Sequence, residues 1–248
     1  MSSVTGILFS EPQPYAPCSA LQERLVEARR EEVIPDTILF LEHAPVITLG
    51  VRGIDEHILQ SPAELQARGI GIERSPRGGD VTFHGPGQIV VYPILHLDEM
   101  GLDVHGYVTG LEEMAIGAAR VFGVEAFRRK GLTGVWTAQG KLAAIGVRFK
   151  HRVAYHGLSF NVNVDLAGFA TIVPCGLAGE PVTSLHSLLG KGCPSMADAR
   201  AALIAQFEQV FNCRIDRYPA GGPLPAPYVK IMRRPSAVQV AEPDAGGV

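Results

Sequence analysis

Long apolar runs are missing. Nowhere in the 248 residues do about 18 apolar residues follow one another, and the opening MSSVTGILFSEPQPY has no basic stretch leading into a sustained apolar one. A soluble, cytoplasmic protein with no membrane partner is therefore expected. Charge of one sign is scarce too. Lys and Arg number 22 against 25 Asp and Glu, and no segment is dominated by either sign, which predicts no nucleic-acid partner. The 4 cysteines (Cys18, Cys175, Cys193, Cys213) lie far apart with no C-x-x-C pair. That argues against a disulfide framework and a cysteine zinc site, and predicts free thiols in a reducing compartment. G-x-G-x-x-G, G-K-[ST] and H-x-x-x-H are absent, so no dinucleotide fingerprint, Walker loop or spaced metal site is available. No metal or cofactor is expected. There is no internal repeat.

What is present is a 46% hydrophobic composition, ample for one sizeable core. Ser19 to Gln22 reads as a capping box, and Leu21, Leu25 and Ala28 follow at helical spacing to about Arg30. TILFLEHAPVITLG, residues 37–50, predicts two short strands or one bent at Pro45. Ser61-Pro62-Ala-Glu64 opens a short helix that Gly69 closes. Residues 88–97, QIVVYPILHL, read as a buried strand, and Tyr107 to Phe122 as a helix stopped by Gly123. Strand-like segments follow at 134–136, 141–149 and 153–164, and a last helix runs from Ser195 to about Asn212. The pattern is α+β with a mixed or largely antiparallel sheet. A catalytic domain over 1–216 and a loose Pro/Gly/Ala-rich tail over 217–248 are expected.

Three stretches carry chemistry. RSPRGGDVTFHGPGQIVVY, residues 74–92, brackets His84 with two glycine turns that let backbone amides approach a carbonyl or phosphate. On glycine content alone a plain hairpin is the commoner explanation. In Gly140-Lys141-Leu-Ala-Ala-Ile-Gly-Val-Arg148, strand alternation puts Lys141 on one face with Ala143, Ile145 and Val147. Desolvation there would lower the lysine pKa from about 10.4, while an edge lysine reaching to water is the plain alternative. The same alternation aligns His156 with Leu158, Phe160 and Val162, where a core histidine is the default. Third, Pro174-Cys175-Gly176 is a turn that lifts a thiol out of packing. A thiol of pKa about 8.5 needs a neighbouring cation or base to act, and Lys141 and the histidines are the candidates. By composition a free cysteine is more often a packed small residue. No role falls to Cys18, Cys193 or Cys213.

Taken together, the run from Arg77 (RGGDVTFHGPGQIVVY), GKLAAIGVR from Gly140, HGLSFNVN from His156 and PCG from Pro174 resemble the lipoyl(octanoyl) transferases of lipoate biosynthesis, in that family's order and over roughly residues 20–215. The resemblance implies the α/β catalytic fold of lipoate and biotin protein ligases, a mixed sheet flanked by helices. It implies transfer of an octanoyl group from octanoyl-acyl carrier protein to a lysine of lipoyl domains, those of 2-oxoacid dehydrogenase complexes and the glycine cleavage H protein. By the same resemblance Cys175 is the nucleophile and Lys141 its acid/base partner. Arg77, Gly78, Gly79, Asp80 and Val81, with Thr82, Phe83, His84 and Gly85, form the acyl-binding wall. The apolar side chains of strands 88–97 and 141–149 wall a tunnel for the acyl chain, with Ala144, Ile145 and Gly146 substrate-binding, and His156, Gly157, Leu158 and Asn161 close the site. Thioester exchange is nearly isoenergetic, so no ATP is implied. Backbone amides near Cys175, Gly78 or Gly146 are candidate oxyanion donors.

Both protein substrates are acidic in this family picture, so the basic clusters Arg128-Arg129-Lys130 and Arg148 to Arg152 are candidates for steering them, against equally ordinary solvated strand ends. Three other readings remain. An ATP-dependent lipoate or biotin protein ligase has no need of Cys175, an octanoyl amidotransferase differs only in its donor, and a non-enzymatic carrier-binding module has no need of Cys175 with Lys141.

Overall fold

The computed structural model describes residues 2–174 and 179–233. Its main sheet contains β1 (Ser2–Leu8), β2 (Thr37–Leu41), β6 (Gln88–His96), β7 (Phe127–Arg129), β8 (Leu132–Thr137), β9 (Gly140–Lys150), β10 (Val153–Asn161) and β11 (Cys213–Pro219). The strand order is β11-β1-β2-β6-β10-β9-β8-β7, parallel at β11-β1-β2 and antiparallel beyond. A second sheet of three strands, β4 (Gly71–Arg74), β3 (Val46–Leu49) and β5 (Val81–His84), stands beside it. The 37–50 stretch is thus two strands that part company at Pro45, one to each sheet.

Period two sorts the main sheet's side chains between two cores. Ile38, Phe40, Ile89 and Val91 pack with α3 (Val104–Val121) and α5 (Met196–Val210). Their neighbours Leu39, Leu41, Val90 and Tyr92 pack instead with α1 (Tyr15–Arg30) and with Tyr228 of α6 (Ala226–Arg233). A third cluster, with Ile47, Leu49, Val81 and Phe83, fills the space under the small sheet. The helix α2 (Pro62–Ala67) has the expected capping box and proline start, and the short α4 (Leu185–Leu189) is capped by the Ser184 side chain.

Several boundaries differ from expectation. Helix α1 starts at Tyr15 rather than at Ser19, because burial of Tyr15 and Cys18 and the Tyr15 hydroxyl on Ser75 Oγ (2.6 Å) hold its first turn on the body. Gln22 is therefore no capping residue: its Oε1 accepts the His156 backbone N–H at 2.8 Å. Helix α3 begins earlier, at Val104, where Asp103 Oδ1 accepts the Gly106 N–H. Strands β1 and β11, not expected, pair along their whole lengths, and the boundary expected after residue 216 falls inside β11. Helix α6 follows, its Tyr228 buried with the hydroxyl 2.6 Å from Thr37 Oγ1. The rest of the expected tail, residues 234–248, lies outside the described residues. Among the described residues no helix is long and apolar enough to cross a membrane.

Candidate active site

A cavity of about 570 Å³ opens where the small sheet meets β6, β10 and β9, a size ordinary for a small-molecule site. Two departures from regular strand geometry aim side chains into it. Along β8 and β9 the register slips between Val135↔Ala143 and Trp136↔Lys141, a β-bulge that gives β9 one extra residue. Lys141 is thereby turned to the cavity wall with Ala144, while Ala143 packs in the main core with Ile145 and Val147 against it. Simple alternation, which put all four on one face, is corrected here. Lys141 is buried, its Nζ 5.1 Å from the Trp136 ring centroid.

The second departure is His156. The ladder between β10 and β6 is paired at Ala154↔Leu95 and Leu158↔Val91, with residues 155–157 between them running past Pro93, which has no N–H to give. His156 takes φ 55°, in the left-handed region, and Gln22 satisfies its N–H. Such a residue costs about 1–3 kcal/mol and persists because its surroundings over-determine it. Leu158 and Phe160 stay in the main core, but His156 lines the cavity, its ring edge-on to Tyr92 at 5.9 Å. The core default for His156 is corrected accordingly. Both of its ring nitrogens are buried and have no hydrogen-bond partner among the described residues. Such groups are costly and mark a place where a ligand or water bonds.

Hydrogen bonds set the other imidazoles. His43 Nδ1–H donates to Gln13 O (2.9 Å), so Nε2 accepts the Tyr92 hydroxyl at 2.7 Å. His84 Nδ1–H donates to Gln88 Oε1 (2.7 Å), Gln88 Nε2 donates to Asn161 Oδ1, and Asn161 Nδ2 donates to Thr183 O. The His84 Nε2 lone pair is left for the cavity. Burial, foremost, pushes His43 down to about 4 and, with Arg77 second, His156 down to about 3; His84 is likewise held well below its ordinary value. The deep end of the cavity, made by Tyr92, His84 and His156, is thus polar but neutral.

Not every expected residue faces this space. Thr82 and His84 do, while Val81 and Phe83, one residue out of phase on β5, point into the third core. Gly85 lines a separate cavity with Phe83. Gly78 is drawn away because its N–H donates to Val147 O (2.9 Å), which removes it as an oxyanion donor. Arg77, Gly79, Asp80, Ala144, Ile145, Gly146, Gly157 and Leu158 all line the wall. The buried Arg77 guanidinium also braces the loop, donating to Thr48 O, Thr48 Oγ1, Gly78 O and Asp80 O. Asn161 sits one step aside, in a small adjoining cavity with Lys141 and Pro174. Cys175 lies outside the described residues, but the chain on both sides of it is placed. Before it, Val173 N–H donates to His57 O (2.8 Å), and after it Lys141 N–H donates to Pro181 O (2.8 Å).

Val90 and Tyr92, from the strand expected to wall the acyl chain, line the cavity, whereas sequence reasoning missed the more exposed Arg52 and His57, Gly131 to Thr133, and Ser159. Alternation along QIVVY selects Val90 and Tyr92 within that strand, whereas nothing local marks Arg52 or His57. Burial raises the Cys18 thiol to about 12 and, first among its causes, the Cys213 thiol to about 11, so both are inert packed thiols. The basic clusters are largely spent within the molecule. Arg128 meets Glu112 and Glu113, Arg129 grips Glu180 through two hydrogen bonds, Lys150 meets Glu27, and Arg152 meets Asp98. Among the described residues there is no cluster of three or more metal-ligating side chains.

With this geometry in place, comparisons add lineage. The family model for the lipoyl protein ligase A/B catalytic domain matches residues 14–208. An octanoyltransferase of Chloroflexus aggregans is 47% identical over 203 residues, covering 81% of this chain and 91% of its own. One from Pelobacter propionicus is 45% identical over 211 residues, covering 85% and 95%. Among solved structures, a bipartite lipoate protein ligase studied with its E2 lipoyl domain, from Thermoplasma acidophilum, superposes with a TM-score of 0.75 at 16% identity, over 94% of this chain and 91% of that one. At that identity the likeness concerns the fold.

Proposed function

Because this chain belongs to the lipoyl protein ligase A/B catalytic-domain family and stands with its octanoyltransferases, we propose that it moves an octanoyl group from octanoyl-acyl carrier protein to a lysine of a lipoyl domain, in the cytoplasm, through an acyl thioester on Cys175. The acceptors are the lipoyl domains of 2-oxoacid dehydrogenase complexes and the glycine cleavage H protein. The observation that carries this reading is the placement of Lys141: buried on the cavity wall, and joined on its own strand edge to the stretch that leads back to Cys175.

The steps follow from the chemistry. The Cys175 thiolate attacks the carbonyl carbon of the donor thioester; a C–S bond to the enzyme forms, the bond to the carrier's thiol breaks, and that thiol leaves with a proton. Lys141 exchanges this proton. The acyl chain lies in the cavity against Val90, Ala144 and Gly157, and a donor at His156 meets the carbonyl oxygen or the amide groups of the carrier's arm. A neutral lysine amine of the acceptor then attacks the acyl-enzyme, giving an amide and returning the thiol, the downhill step.

Intact-protein mass spectrometry after incubation with octanoyl-acyl carrier protein, without ATP, tests this on the wild type and on Cys175→Ser. The expected result is an octanoyl adduct that hydroxylamine removes, and none, or a resistant ester, in the variant. No adduct, together with ATP-dependent labelling of a lipoyl domain by free octanoate, overturns the proposal in favour of a ligase.

A further inference from the structure

The transfer step has an unassigned proton. An acceptor lysine enters as an ammonium, since with a pKa of about 10.4 only roughly one molecule in a few thousand is neutral at pH 7. Forming the amide removes two protons from that nitrogen. The departing Cys175 thiolate, with Lys141, accounts for one. The first, lost before attack, requires another base where the amine arrives.

The cavity mouth holds such a group. His57, in the single turn Asp55–His57, donates Nδ1–H to Asp80 Oδ2 at 2.5 Å. This contact fixes the tautomer, so Nε2 carries a lone pair, and it has no hydrogen-bond partner among the described residues. The His57 side chain is 25% exposed against 11% for Asp80, which suits a base that must pass its proton to solvent and a carboxylate that must not move. The second oxygen of Asp80 is buried without a hydrogen-bond partner, leaving its charge directed at the imidazole. His57 is the more exposed imidazole on this cavity, His84 and His156 being buried. The turn is also strapped to the chain that precedes Cys175: Val173 N–H donates to His57 O, Leu59 N–H donates to Thr171 O, and Ile58 bridges Ile172. Other charged groups around the cavity are Arg52, Arg77 and Lys141, with His84 and His156 held neutral below them. On its own turn stand Asp55, held by Arg74, and Glu56.

The geometry points to His57 as the base that takes the first proton from the acceptor's ammonium, with Asp80 as the positioning residue that holds its tautomer and faces the imidazolium formed. The nitrogen lone pair so released forms the C–N bond to the acyl carbon, the C–S bond breaks toward Cys175, and His57 returns its proton to water. This assignment rests on the acyl-enzyme reading above and adds to it a residue for the second half-reaction alone.

The test separates the half-reactions. The full chain is acylated with octanoyl-acyl carrier protein and then mixed, in a single turnover between pH 6.5 and 9.5, with an isolated lipoyl domain. For His57→Asn, acylation is expected to stay within about threefold of wild type, while transfer at pH 7 falls by about 10²–10⁴-fold, the usual worth of a general base. The deficit should shrink with rising pH, as solvent increasingly supplies the neutral amine. Asp80→Asn should lose transfer more mildly with the same pH trend, and imidazole should restore part of the transfer in His57→Ala. Transfer by His57→Asn near the wild-type rate at pH 7, a deficit independent of pH, or equal loss of both half-reactions overturns the assignment; the last would mark His57 as structural. Failure of the wild type to acylate at all would instead sink the acyl-enzyme reading.

Discussion

His43 and His156 are buried bases whose proton affinity the fold lowers, to about 4 and about 3. Between those values and the unfolded pKa near 6.5 the unfolded chain binds protons that the folded one refuses, so stability rises with pH across this window. It is fully present above about pH 6.5 and is lost on acidification, at up to about 1.4 kcal/mol per pH unit for each histidine. Urea midpoints should therefore fall steadily from pH 7 to 4.5. His156→Gln should flatten that slope by about one proton, and an unchanged slope would mean that the ring titrates normally. The same neutrality serves the site, because a cavity floored by imidazolium would repel the cationic acceptor lysine.

At the scale of elements, the site depends on irregularity within regular strands. The bulge in β9 aims Lys141, and the opening of the ladder opposite Pro93 lets His156 turn over. Gly157 belongs to this device: a Cβ there would stand 2.2 Å from Val91 O and 2.8 Å from Pro93 Cδ. The first of these is backbone that cannot swing aside. Gly157→Ala should cost about 1–3 kcal/mol, as overpacking usually does, and should impair acylation in the fraction that folds. A melting temperature within a degree of wild type would show that the strands spread at no cost. The motif H-G-L-S-F-N was legible as a strand next to chemistry, but its first residue's direction was not, since parity fails at a residue with positive φ.

On the scale of the whole molecule, the second core is closed by a part of the chain that composition assigned to a loose tail. Tyr228 is buried against α1 and the sheet, and its hydroxyl meets Thr37. A helix of only eight residues draws its stability from that contact, Tyr228 packing on the second core together with Ile231 and Met232 at helical spacing. Tyr228→Ala should destabilise by about 3–5 kcal/mol as large-to-small core changes do, and Tyr228→Phe by about 1 kcal/mol for the lost hydrogen bond. Equal denaturation curves for wild type and Tyr228→Ala would mean that α6 is dispensable. The surface shows a related limit of local reading. Arginines that form a basic run in sequence are neutralised by Glu112, Glu113 and Glu180, partners brought close only by folding.

The sequence by itself determined the α+β class, the capped helix at Ser61, the helix stops at Gly69 and Gly123, the buried strand expected over 88–97, which ends one residue sooner, and, through four ordered motifs, the family. These are set by interactions within a few residues or by short patterns that chemistry constrains tightly. Only the tertiary structure decided which way Lys141 and His156 face, that Phe83 and Gly85 leave the cavity while Thr82 and His84 enter it, and that His57 meets Asp80 at its mouth. Each of these turns on a register between strands or on a contact between residues distant along the chain. Periodicity is blind to such relations, because one extra residue in a bulge or one left-handed residue reverses which face a side chain occupies.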